Sequence, residues 1–133
     1  MREIHTTNAP APVGPYSQAV VHGGYLFASG QIPIDPATNT LVEGDIESQA
    51  ERVFANLDAV LEAAGASLDK VLRTTVYLTD LTLFPRVNAV YDRHFRGDPR
   101  PARTTVAAAA LPLGAQIEVD IIALVDPERD SFT

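Results

Sequence analysis

Ile121-Ile122-Ala123-Leu124-Val125 is apolar at every position. Side chains on a strand alternate between its two faces, so an unbroken apolar run of strand length asks for cover on both sides of a sheet. The alanine-rich segment Val106 to Ala110 makes the same demand with smaller side chains. Working outward, two stretches carry helical periodicity. From Asp45, the residues Ile46, Ala50, Val53, Phe54, Leu57, Val60, Leu61 and Ala64 recur at helical spacing, with Asp45 as N-cap and Gly65 just past the end. Thr82 to Phe95 reads as a second amphipathic helix, with Pro85 tolerated in its first turn and Gly97-Asp98-Pro99 as its exit. Two helices can cover only one face of a sheet. A symmetric homo-oligomer is the economical cover for the other, and loops folded over it are the alternative.

The remaining strands fall around this frame. Arg2 to Thr6 opens the chain, and Asn8 to Pro15 cannot form helix because three prolines in six residues remove donors and fix φ. Ala19 to His22 and Tyr25 to Gln31 flank Gly23-Gly24, which suits a two-residue hairpin turn. Residues 35–40 read as a loop, and Val71 to Leu78 as a strand. Ala102 to Ala109 and Gln116 to Val125 read as a hairpin around Leu111-Pro112-Leu113-Gly114. The order of three strands, helix, strand, helix and two strands describes an α+β sheet with two helices. One domain over residues 1–133 is expected, with a polar, unpatterned and flexible tail at 127–133.

Composition removes several classes of chemistry. The chain has no cysteine, which excludes disulfides, thiolate nucleophiles and cysteine-ligated zinc. A net charge of −7, with Lys70 beside nine arginines, disfavours nucleic-acid partners. Arg93, Arg96, Arg100 and Arg103 do cluster in sequence, but Asp92 and Asp98 are interleaved. Residues 1–7 lack the apolar core of a signal peptide and no run is long enough to span a membrane, so a cytoplasmic location is expected. His5, His22 and His94 share no metal-ligand spacing, so no metal site is expected, and no phosphate-cradling glycine loop or nucleophile elbow is present.

What remains is a set of neutral polar groups with one arginine and one carboxylate. Arg103 lies on a strand among small neighbours, where a planar guanidinium suits bidentate capture of a carboxylate or, alternatively, a structural ion pair. Glu118, on the strand read as its hairpin partner, is either a group that orients water and passes a proton or simply the ion-pair partner of Arg103. Asp120 shares its face and rivals it for either role. Tyr16 and Ser29 are either ligand donors or parts of the turns that hold them, and Asn88 alone would pass as a surface residue.

Several spaced motifs in order change that balance: Gly14-Pro15-Tyr16-Ser17-Gln18, Ser29-Gly30-Gln31-Ile32-Pro33, Glu62-Ala63-Ala64-Gly65, Thr74 to Leu81, Val87-Asn88 with Tyr91, Pro101-Ala102-Arg103-Thr104, Leu111-Pro112 and Ile117-Glu118. With them the chain resembles the RidA (YjgF) family of reactive-intermediate deaminases from about Ile4 to Val125. The resemblance implies a chorismate-mutase-like α+β subunit, a single mixed sheet with two helices on one face, assembled as a homotrimer with clefts between subunits. It further implies hydrolysis of 2-aminoacrylate/2-iminopropanoate and 2-aminocrotonate/2-iminobutanoate to 2-oxo acids and ammonia, without a cofactor. Arg103 would clamp the carboxylate and Glu118 activate the water, with Tyr16, Ser29, Gly30, Asn88 and Thr105 binding substrate. Thr105 departs from the cysteine usual in the best-known deaminase subgroup. A deaminase for a larger enamine, a carboxylate-binding or holdase-type protein and a ribonuclease are the competing expectations.

Overall fold

In the computed structural model, which describes residues 1–126, six strands form one sheet: β1 (Arg2–Ile4), β2 (Ala19–His22), β3 (Tyr25–Gln31), β6 (Val71–Leu78), β7 (Ala102–Ala107) and β8 (Ile117–Leu124). Their spatial order is β1-β2-β3-β8-β6-β7. Every pairing is antiparallel except β6 with β7, which is parallel, so the sheet is mixed and the fold is α+β. A separate two-stranded ribbon, β4 (Ile34–Asp35) with β5 (Thr40–Leu41), occupies the stretch expected to be only loop. The tail expected at 127–133 lies outside the described residues.

Helix α1 (Ile46–Ala63) follows its sequence signals at both ends. The Asp45 carboxylate accepts a hydrogen bond from the Ser48 amide at 2.9 Å, satisfying one of the donors a helix start leaves open. At the other end Gly65 takes φ = 75°, a left-handed conformation that glycine enters without Cβ strain. Ile46, Ala50, Val53, Phe54, Leu57, Val60 and Leu61 are buried in one core with Ile117, Val119, Ile121 and Ala123, the alternate residues of β8. Helix α2 (Phe84–His94) begins two residues later than expected. Asp80 captures the Thr82 amide at 2.9 Å and turns Leu81–Leu83 into a 3₁₀ turn first. Pro85 then sits in the first turn, where its missing N–H costs no helical bond. Two surface contacts fix α2 beside α1: Arg86 grips Glu47, and Glu51 takes both Arg93 and His94.

The expected hairpin between the last two strands is absent, and β6 lies between β7 and β8. The reason is the βαβ unit. Strand β6, helix α2 and strand β7 form a crossover that sets β7 parallel to β6 at the sheet edge, leaving the other side of β6 for β8. Both ends of the 108–116 connection are tied to the end of β6, through Ala108 N–H to Leu78 C=O (2.8 Å) and Thr79 N–H to Gln116 C=O (3.1 Å).

The second face of the sheet is open. Tyr25, Phe27, Leu124 and Val106 point away from the helices and are 45, 46, 41 and 38 % exposed. Ile122 between them is half-buried. No loop among the described residues closes over these apolar side chains, and contiguous exposed apolar surface is a feature of interaction sites.

Candidate functional site

Glu118 belongs to the open face, and a backbone irregularity builds its surroundings. Ala28 pairs with Ile121 and Gln31 with Val119, so β3 takes three steps where β8 takes two. The extra residue is a β-bulge at Ser29-Gly30, which re-aims these two residues toward the Glu118 side. Gly30 is a steric requirement there. A Cβ built on it would collide with the Glu118 carboxyl oxygen and lie 2.8 Å from Cδ and 3.0 Å from Cγ. Ser29 is anchored by its own hydroxyl, which donates to the Ser17 carbonyl at 2.6 Å, and by its amide to the Gln18 carbonyl at 2.9 Å.

The proline-rich segment supplies the opposite wall. Gln18, buried at the start of β2, accepts from the Thr6 amide (2.8 Å) and donates to the carbonyls of Thr6 (3.0 Å), Ala9 (3.3 Å) and Pro10 (2.9 Å). That single amide satisfies a backbone stretch whose prolines cannot join a ladder. The loop it holds carries Tyr16, half exposed, whose hydroxyl accepts from the Val13 amide at 3.4 Å. Tyr16, Ser29, Gly30 and Glu118 thus line one pocket of about 410 Å³, with Pro10–Val13, Ile32, Ile34 and Pro112 as its apolar wall. Burial, and secondarily the charge of Asp120, push the Glu118 carboxyl above its ordinary value. Asp120 shares the face but is engaged elsewhere, accepting from the Tyr77 hydroxyl at 3.2 Å.

Arg103 stands on the other face. In the parallel register it pairs with Thr74, which is fully buried beneath α2 and bonded to the Tyr91 hydroxyl at 2.8 Å. Its guanidinium lies 4.7 Å from the centre of the Tyr91 ring and 5.1 Å from that of Phe84, and donates to Asn88 Oδ1 at 2.8 Å. Two aromatic faces and one amide hold the fork in place. No carboxylate pairs with Arg103 among the described residues, so the ion pair with Glu118 weighed from the sequence is not formed within one chain. Arg103 and Asn88 line a second pocket, of about 540 Å³, with Tyr91, Asp92, Arg100 and Pro101; Arg100 is paired there to Asp92 at 2.5 Å.

The structure therefore gathers the expected residues into two groups. Tyr16, Ser29, Gly30 and Glu118 form one, Arg103 and Asn88 the other, and Thr105, half-buried two residues beyond Arg103, lines neither pocket. Two strand spacings, roughly 10 Å, and the thickness of the sheet separate the groups. Tyr91, Phe84, Gln18 and Tyr77 were not singled out as site residues from the sequence. Tyr91 had a readable signal, three residues after Asn88 on the same helical face; Tyr77 had none, since its contact depends on strand register. No group of three potential metal ligands comes together among the described residues.

Residues 6–125 match the family model described as Endoribonuclease L-PSP. Protein DfrA of Myxococcus xanthus is 54 % identical over 125 residues, covering 92 % of this chain and 95 % of that protein. The crystal structure of RidA from an Antarctic Psychrobacter species superposes with a TM-score of 0.89 at 45 % identity, covering 94 % of this chain and all of that one. E. coli TdcF, solved with bound serine, gives a TM-score of 0.88 at 36 % identity over 95 % of this chain and all of that one.

Proposed function

Because the chain belongs to the RidA (YjgF) family, we propose that it hydrolyses small 2-imino acids and their enamine tautomers, 2-aminoacrylate/2-iminopropanoate and 2-aminocrotonate/2-iminobutanoate, to 2-oxo acids and ammonia. The observation that carries this reading is Arg103, which has no carboxylate partner among the described residues. A guanidinium fixed by Asn88 and two rings, in a pocket whose one carboxylate, Asp92, is taken by Arg100, is a site prepared for a substrate carboxylate. The serine bound to TdcF is a small molecule bearing that same group.

The second half of the chemistry belongs to Glu118. Protonation of the enamine at its terminal carbon first gives the protonated imine. The Glu118 carboxylate takes a proton from water as the water oxygen bonds to the imine carbon, giving a neutral carbinolamine. The carboxyl passes that proton to the amine nitrogen, and the carboxylate so formed takes the carbinolamine hydroxyl proton as the C=O bond forms, the carbon–nitrogen bond breaks and ammonia leaves. The substrate carbon is already electrophilic, so positioning and proton transfer supply the catalysis. Arg103 and Glu118 lie on opposite faces of one chain, so a complete site takes Arg103 and Asn88 from one copy and Tyr16, Ser29, Gly30 and Glu118 from a neighbour, as in the homotrimer proposed here. The open apolar face supplies a surface on which copies can meet.

The test is semicarbazide trapping of the imine during threonine or serine dehydratase turnover, with wild type, Arg103→Ala and no added protein compared at equal concentration. The deaminase reading expects trapped imine to fall, and ammonia and 2-oxo acid to rise, with wild type alone. Equal trapping in all three discards these substrates and leaves a carboxylate-binding protein or a deaminase of larger enamines. The ribonuclease suggested by the family model's description has less support in this chain: neither pocket is lined by a histidine, and the net charge is −7.

A further inference from the structure

We propose that Asp120, held by the Tyr77 phenol, is a positioning residue for Glu118, directing the exchangeable proton to Glu118 rather than to itself. The inference rests on the reading of Glu118 as the proton-transfer group. Tyr77 and Glu118 are direct cross-strand partners, and Asp120 follows two residues on along the same face of β8. Such neighbours lie about 5 to 7 Å apart, within range of direct electrostatic coupling. The phenol reaches diagonally past Glu118 to donate to Asp120 Oδ2 at 3.2 Å. One carboxyl thus has a fixed donor, while Glu118 makes no hydrogen bond among the described residues.

Within one chain the groups facing Glu118 are otherwise neutral, and the Arg103 that the proposed assembly brings from a neighbouring copy is the same in wild type and in the variants. From β3 come Ser29 and Gly30, from the proline-rich loop Tyr16, from β6 Tyr77, and from β8 only Asp120 carries charge; no arginine, lysine or histidine lines the pocket. Two carboxyls this close resist double ionisation, and Glu118 is the one with no donor among the described residues to favour its charged form. The upward displacement of the Glu118 pKa, partly through Asp120, agrees with this. A carboxylate made more basic accepts a proton from water more readily and still returns it to the leaving amine.

The experiment titrates ¹³C-carboxyl-labelled glutamate by NMR in wild type, Asp120→Asn and Tyr77→Phe, with Glu118→Gln assigning the signal, alongside the pH profile of kcat/KM. In Asp120→Asn the Glu118 midpoint and the acid limb should both move down by about half to one pH unit. Tyr77→Phe, which frees Asp120 to turn away, should move them the same way by less. A purely structural role would lower activity or Tm equally at all pH values. An unmoved midpoint in Asp120→Asn overturns the proposal. Because the NMR midpoint needs no turnover, a shifted midpoint in a protein without deaminase activity refutes the deaminase reading and leaves the coupling standing.

Discussion

Arg103 and Glu118 lie on opposite faces of one sheet with β6 between them, Arg103 in register with Thr74 and Glu118 with Tyr77. An odd step along β6 separates the two partners, and side chains reverse face at each step. A single chain therefore cannot close both groups on one small substrate. Arg103→Ala and Glu118→Gln, each alone, should lower kcat/KM on the order of 10²-fold or more by removing the clamp or the base. Mixed in equal amounts, unfolded and refolded together, they should recover activity, because a site built from the intact Arg103 of one copy and the intact Glu118 of another forms in about a quarter of random pairings. Recovery at that level in a 2-imino acid assay is the expected result. No recovery, with both variants folded and assembled, would place the two residues in one copy's site and contradict the geometry.

Gly30 is where the backbone comes closest to the proposed base, Glu118. Its missing Cβ makes the space that the Glu118 carboxyl fills. In Gly30→Ala the methyl group and the carboxylate compete for that space, and Glu118, on a pocket wall, is the side free to move. The variant should keep its fold at a cost of about 1–3 kcal/mol, as overpacked sites do, yet lose at least tenfold in kcat. Thermal melts and steady-state kinetics on the same preparation check both halves. Unchanged kcat would mean that Glu118 does not need its present position.

The pH dependence follows from Glu118 with a definite sign. Burial first, and Asp120 second, raise its pKa above the ordinary 4.5. A base works ionised, so kcat/KM should fall as pH drops through this raised value, before ordinary carboxylates protonate. Stability runs the other way. A carboxyl with a raised folded pKa contributes stability below its unfolded pKa and loses that contribution as pH rises through the folded one. Ionised Glu118 is thus a strain at neutral pH, and Glu118→Gln should melt higher than wild type at pH 7 while showing no gain at pH 4. Melting curves at the two pH values decide it; a loss of stability at pH 7 would show that the ionised group is held favourably.

How legible these features were depended on the range of the forces that set them. Helix α1 was readable because Asp45, Gly65 and the apolar spacing between them are local signals, and all three appear in the structure as read. Strands β2, β3 and β6 were equally local. The pairing of β7 with β6 rather than β8 was not, because it is fixed by how α2 packs and by the hand of the crossover. The bulge at Ser29-Gly30 escaped for a related reason: an extra residue shows only against its partner strand. The Glu118 pocket combines a loop, a bulge and a strand from distant parts of the chain, so its residue types could be named from motifs while their division between two faces could not.

Phe27 offers the most direct check on that division. It lies on the open face between Val20 and Ile122, 46 % exposed, in the apolar patch with Tyr25 and Leu124. Buried between copies, a glutamate there would bring an unpaired carboxylate into an apolar contact, at a cost of several kcal/mol per interface. On a free surface the same change is close to neutral. Phe27→Glu should therefore convert an assembled wild type into monomers by light scattering, and abolish imine hydrolysis although Phe27 lines neither pocket, since each monomer keeps only half of each site. Far-UV circular dichroism should be unchanged, because α1, α2 and the core under them lie on the opposite face. A Phe27→Glu protein that keeps the wild-type mass and activity would mean that the copies meet elsewhere, or that one chain completes its own site.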